Sequence, residues 1–239
     1  MLVNGGYDAV SAICTSPALT FLKVADLPKK AFQTEHFFEV QFPKTFLETC
    51  VIGLLPSIIG QIKLQAPMLN EALLLASWNK KYATGIALNT FYETDSRLKG
   101  VPGKYVPPSN TPSGRLMTVL GDWGNMENLL LVKSHVNWVK GQLFSLNNPM
   151  AEGKLKTNIA EALAGDKGSA MKIETVLKHV FSVFDYLNDA TAKIVERKTL
   201  NAITQEITNI ENHIPELKGI KAIFDKFMPT YKAAVLKKA

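Results

Sequence analysis

The spacing of apolar positions divides the chain into a front part of short alternating runs and a rear part of long helical stripes. Ala18–Val24, rich in Thr, Phe, Val and Leu, reads as extended, and in His36–Phe42 the residues His36, Phe38, Val40 and Phe42 fall on one face of a strand. Between them Leu27–Lys30, with Pro28, is a turn. Pro43 opens a helix through Phe46, Leu47, Val51, Leu54 and Leu55 that ends or kinks at Pro56. Behind Pro67, Met68–Trp78 has the composition of a second helix, with a buried strand over Ala72–Trp78 as the alternative. Thr84–Tyr92 alternates as a strand.

From Ser96 to Gly121 the pattern breaks down, because Gly100, Pro102, Gly103, Pro107, Pro108, Pro112 and Gly114 leave little room for regular structure. The expectation is a long loop, closed by a short strand over Arg115–Leu120 and a turn at Gly121–Gly124. After it, Leu129, Val132, Val136, Val139, Leu143 and Leu146 recur three or four residues apart, as one stripe of a helix. Asn125 is placed to cap that helix, Glu127 to meet its positive end, and Asn147 to Pro149 to stop it.

The remaining stretch reads as four amphipathic helices with short connections. Leu155, Ile159, Ala162 and Leu163 give the first, ended by Gly165, and Ile173 through Leu187 give a long second. A third carries Leu200, Ile203, Ile207, Ile210 and Ile214, and Pro215 opens a fourth through Ile220, Ile223, Phe224, Phe227 and Met228. The fold expected is therefore α+β and helix-rich: a mixed N-terminal part with a small sheet over residues 1–121, ending in the Gly/Pro-rich basic loop 96–121, and a mainly helical, bundle-like part over 122–239. A single compact domain is equally compatible with this length.

Composition adds that 46% hydrophobic residues over 239 suffice for a real core. Phe46–Ile62, the most apolar stretch, is interrupted by Glu48, Gly53, Pro56, Ser57 and Gln61 and falls short of the ~20 residues of a membrane span. It reads as a core segment. Cys14 and Cys50 stand apart and form neither a C-x-x-C pair nor a disulfide framework, so both are expected reduced and buried. With no basic or apolar leader pattern at the N-terminus, a cytoplasmic or other reducing intracellular location is expected.

Charge matters through its placement more than its total. The net +6 is shared evenly by residues 1–150 and 151–239, without a polybasic tail. Within the loop, however, Arg97, Lys99, Lys104 and Arg115 are unopposed by acids and Tyr105 lies among them. Basic groups with an aromatic ring on a Gly/Pro-rich segment suit an anionic partner, nucleic acid or lipid head groups, because Lys and Arg neutralise phosphates and a ring stacks on a base. The helical stripes are the second candidate surface, for a protein partner or a homo-oligomer.

Catalytic motifs are weak. Gly103-Lys104 is the nearest approach to a phosphate-binding loop, but Tyr105 replaces the hydroxyl ligand and Leu98 the first glycine. His36, His135, His179 and His213 are scattered singly, and on a strand Glu35 and His36 point to opposite faces. Asp122 to Asn128 is dense in oxygen ligands but lacks cation-loop spacing, and no nucleophile elbow occurs. No cofactor or metal is expected. The reading is a non-catalytic binding or assembly protein, contacting an anionic partner through its loop and other proteins or its own copies through helices. The alternatives are a lipid-binding or membrane-active, pore-forming type of protein using Phe46–Leu75, and an enzyme without a recognisable motif.

Overall fold

A computed structural model of the chain describes residues 5–9, 19–23, 32–57, 60–64, 69–86, 88, 109–122, 125 and 128–238. In chain order the elements are β1 (Gly5–Ala9), β2 (Leu19–Lys23), β3 (Phe32–His36), α1 (Phe42–Ile52), β4 (Leu54–Ser57), β5 (Gly60–Lys63), α2 (Glu71–Trp78), α3 (Pro112–Leu120), β6 (Leu129–Lys133), α4 (Ser134–Phe144), α5 (Glu152–Leu163), α6 (Lys167–Asn188), α7 (Ala190–His213) and α8 (Ile220–Lys238). The architecture is helix-rich α+β. Among the described residues no helix is long and apolar enough to cross a membrane.

The chain forms two compact units, each assembled from separated stretches. The first comprises His36–Leu129 and Ile194–Ala234; the second comprises Val3–Glu35, Leu130–Lys193 and Val235–Ala239.

In the first unit, α1 starts with Pro43 in its first turn, where a missing N–H costs nothing, and stops at Gly53, whose φ of 68° only glycine adopts freely. Its buried face, Phe42, Phe46 and Cys50, meets aromatic rings of α8: Phe46 lies edge-on to Phe224 at 5.4 Å, and Phe42 edge-on to Phe227 at 5.7 Å and Tyr231 at 5.8 Å. Such edge-to-face contacts set the positive rim of one ring against the negative face of another. β4 and β5 form an antiparallel hairpin with Leu55 opposite Ile62. The Asn70 side chain caps α2 through the Leu73 N–H, and Thr111 caps α3 through the Gly114 N–H. Along α7, Ile203, Ile207 and Ile210 are all fully buried, and a 3-10 turn at Pro215–Leu217 leads into α8.

The second unit carries a four-stranded sheet of order β2-β1-β6-β3. β1 runs antiparallel to β2, with Tyr7 opposite Phe21, and parallel to β6, with Gly6 opposite Leu131. Helices α4, α5 and α6 follow. α5 and α6 form a hairpin through Gly165, at φ 99°, and Asp166 caps α6 by accepting the Gly168 and Ser169 N–H groups.

Several expectations are corrected. Arg115–Leu120 is helix rather than strand, because Thr111 and Pro112 initiate α3 and Leu116, Val119 and Leu120 recur at helical spacing on its buried side. The stripe from Leu129 to Leu146 is two elements: Leu129–Lys133 satisfies a strand period as well as a helical one, and pairing with β1 decides for β6. Asn125 caps no helix. It is buried, and its amide donates to the carbonyls of Thr118 and Val119 at the end of α3. The strand expected over His36–Phe42 ends at His36, and Phe42 is already in α1. Residues 84 and 85 form a turn rather than the start of a strand, and 89–92 lie outside the described residues.

Candidate functional site

The expected anion-binding residues divide. Arg97, Lys99, Lys104 and Tyr105 lie outside the described residues. Arg115 sits in α3 rather than on a loop, is almost fully buried, and sets its Nε 2.8 Å from Glu206 Oε1 on α7. Its charge is matched inside the fold, so it presents no cation to a phosphate in this structure. Glu206 also accepts the Tyr82 hydroxyl at 3.2 Å and the Asn209 amide at 3.3 Å. Burial and then the neighbouring carboxylate push the Tyr82 hydroxyl well above the ordinary tyrosine range, which keeps it a donor.

The second unit contains a counterpart. Lys140 of α4 is wholly buried, with Nζ 2.5 Å from Glu35 Oε1 and 4.4 Å from the centre of the Phe144 ring. The Tyr186 hydroxyl donates to Glu35 Oε2 at 3.0 Å. Each unit thus encloses a carboxylate held by one cation and one tyrosine. Burial on this scale is tolerable only because every charge is paired and hydrogen-bonded. Both arrangements are structural in character, since the charged groups are spent on each other.

The scattered histidines also have local roles. His36 Nδ1 lies 2.8 Å from the Leu120 carbonyl, and the rings of His135 and His179 stack at 4.3 Å within the second unit. Burial holds His179 below the ordinary histidine range. Cys50 is buried, and its thiol is pushed up to about 12, as expected of an inert cysteine; Cys14 lies outside the described residues. Among the described residues no three His, Cys, Asp or Glu side chains form a metal-binding group.

What the second unit leaves in solvent is more informative. α5 buries only Asn158, while Leu163 is 85% exposed and Ile159 is exposed one turn before it. On α6, Leu177 and Phe181 are exposed, again one turn apart, and Met171 stands 65% exposed near the hairpin turn. A helix rotates by about 100° per residue. From the partly or fully buried Leu155, Asn158 and Ala162 of α5 to Ile159 and Leu163, and from Ile173, Val176 and Val180 of α6 to Leu177 and Phe181, the offset has the same rotational sense. In an antiparallel pair, equal-handed offsets bring both stripes to one side. The hairpin therefore presents a single apolar face.

An open cleft of about 560 Å³ lies in the same unit, lined by residues of α4, the segment after it, α5 and α6. Trp138, 53% exposed, and Met150 form apolar wall, and Gln142, Asn147, Asn148 and Lys154 supply polar groups. Lys154 and Val176, which also lines the cleft, are each about 140° round their helices from Ile159 and Phe181. The cleft and the apolar face thus occupy opposite sides of the hairpin.

No residue of this cleft stood out in the sequence. Trp138 is the one signal available there, a large aromatic between the stripe positions Val136 and Val139. Comparison with protein-family models, with curated proteins and with solved structures finds no match to the chain.

Proposed function

We propose that the chain is a non-catalytic binding and assembly protein in which two copies join through the apolar face of α5 and α6, and that it contacts an anionic partner. The observation that carries the first limb is that face. Ile159, Leu163, Leu177 and Phe181 together leave on the order of 400 Å² of apolar surface in water, within the range of what a monomer carries as its largest patch. Two such faces meeting about a two-fold axis remove about 800 Å², the scale of a weak, concentration-dependent contact.

Charge favours a second copy over a membrane. The face is bordered by Glu152 with Lys156 and by Glu174 with Lys178, each an i,i+4 pair at 2.6 Å. These borders are internally neutral, so they neither repel an identical face nor draw it to anionic lipid. Much of the Phe46–Leu75 segment is committed to the core of the first unit through Phe46, Cys50, Leu55, Leu64 and Leu74. The anionic-partner limb rests on the composition around Arg97, Lys99, Lys104 and Tyr105.

Sedimentation velocity over a concentration series tests the first limb. The expected result is a concentration-dependent dimer that Leu163→Glu with Phe181→Glu converts to a monomer of unchanged circular dichroism. A wild type that stays monomeric at high micromolar concentration would count against it.

A further inference from the structure

We infer that the cleft beside Trp138 is a nucleotide-unit binding site, in which the indole stacks on a base, Gln142, Asn147 and Asn148 meet polar edges, and Lys154 meets a phosphate. This deepens the anionic-partner limb of the proposed function and rests on it, while the self-association limb is independent. The cleft's volume of about 560 Å³ is ordinary for a small-molecule site.

One class of ligand uses every group the cleft offers. Trp138 shows roughly half its surface to solvent, which is unusual for so large an apolar side chain and leaves a ring for a flat ligand to cover. The side chains of Gln142, Asn147 and Asn148 have no hydrogen-bond partner among the described residues, and Lys154 has no carboxylate partner among them. An amide presents a donor and an acceptor side by side, the arrangement that matches the edge of a base. A neutral saccharide would engage the ring and amides and leave Lys154 idle. A simple anion would engage Lys154 and leave the ring idle. A base joined to a phosphate engages all of them.

Sign and access agree. Lys154 is the one charged residue of the lining, which contains no acid. The nearby Glu152 is drawn toward Lys156. Because the cleft lies on the opposite side of the hairpin from the apolar face, a dimer formed through that face leaves it open.

A base with its phosphate reaches the cleft either as a free mononucleotide or as one unit of a single strand. The test uses a fluorescent adenosine dodecamer in anisotropy titrations across a salt series, with AMP as competitor and as direct ligand by calorimetry. Trp138→Ala is expected to weaken strand binding about tenfold or more and Trp138→Phe to retain most of it, since stacking needs a ring of either kind. Lys154→Gln is expected to flatten the slope of log affinity against log salt by about 0.7. Competition by millimolar AMP assigns the cleft to the free nucleotide; strand binding that AMP leaves untouched assigns it to a single strand. Strand binding that neither Trp138→Ala nor Lys154→Gln alters overturns the cleft assignment and leaves the anionic-partner reading standing elsewhere on the chain. Failure of the wild type to bind dodecamer or AMP at low salt overturns the cleft assignment together with the nucleic-acid form of the anionic-partner reading. Trp138 and Lys154 are exposed, and circular dichroism on each variant separates lost binding from lost fold.

Discussion

Two helical stretches with the same apolar spacing are used in opposite ways. In α7, Ile203, Ile207 and Ile210 recur every three or four residues and every one is buried. In α5, Leu155, Ile159 and Leu163 recur every four, yet Ile159 and Leu163 stand in solvent and the helix's one buried side chain is Asn158. Period determines that a helix forms and which side is apolar; it says nothing about what covers that side. In α7 that side is buried within the chain. In α5 and α6 it stands in solvent, and the assembly reading rests there.

The strongest way to probe the parity of the two units is through their buried carboxylates. Replacing Glu206 by Leu strands Arg115, and replacing Glu35 by Leu strands Lys140, so each change is expected to cost about 3–5 kcal/mol. Urea melts measure it. In a Cys14→Ser background the Cys50 thiol reports the first unit, since it should react with a thiol reagent only once that unit opens. A Glu206→Leu protein as stable as its parent would show that the first unit does not depend on its pair.

The contrast between α7 and α5 has a direct reading in stability. Ile207→Ala empties a fully buried position and is expected to cost about 2–5 kcal/mol, whereas Ile159→Ala should move monomer stability by no more than about 0.5 kcal/mol. Comparable losses at the two sites would show that α5 is covered within the monomer.

A smaller effect separates the units by pH. His179 titrates near 6.5 when unfolded and lower when folded, because burial disfavours its charged form. Below pH 6.5 the unfolded chain therefore binds the extra proton, so stability of the second unit is fully present above that value and declines as pH falls toward the folded pKa. Melts between pH 7.5 and 5, with and without His179→Gln, follow this. An identical decline in the variant would assign it to another group.

Much of the rear half was legible because local chemistry and period agree there: Gly165 closes α5 and Pro215 introduces the turn before α8. Leu129–Lys133 was misread because its apolar run fits two periods and only the distant β1 selects one. Arg115 was misread for a related reason. A lone arginine after prolines and glycines resembles a solvated loop cation, and its partner Glu206 is 91 residues away. The cleft was invisible, since Trp138, Asn147 and Lys154 carry no shared spacing and meet only through the turn between α4 and α5. A cut near Ala151, where the rear helices begin, would divide both units.

The separation of paired charges along the chain also gives the protein a timetable. During synthesis at roughly 5–20 residues per second, Arg115 leaves the ribosome on the order of ten seconds before Glu206. Until then its guanidinium lacks the carboxylate it is buried with in the fold, and desolvating it alone is too costly. The first unit must therefore stay open around α3 until α7 has been made. In the second unit the order is reversed: Glu35 precedes Lys140, so there it is the carboxylate that waits in water for its cation.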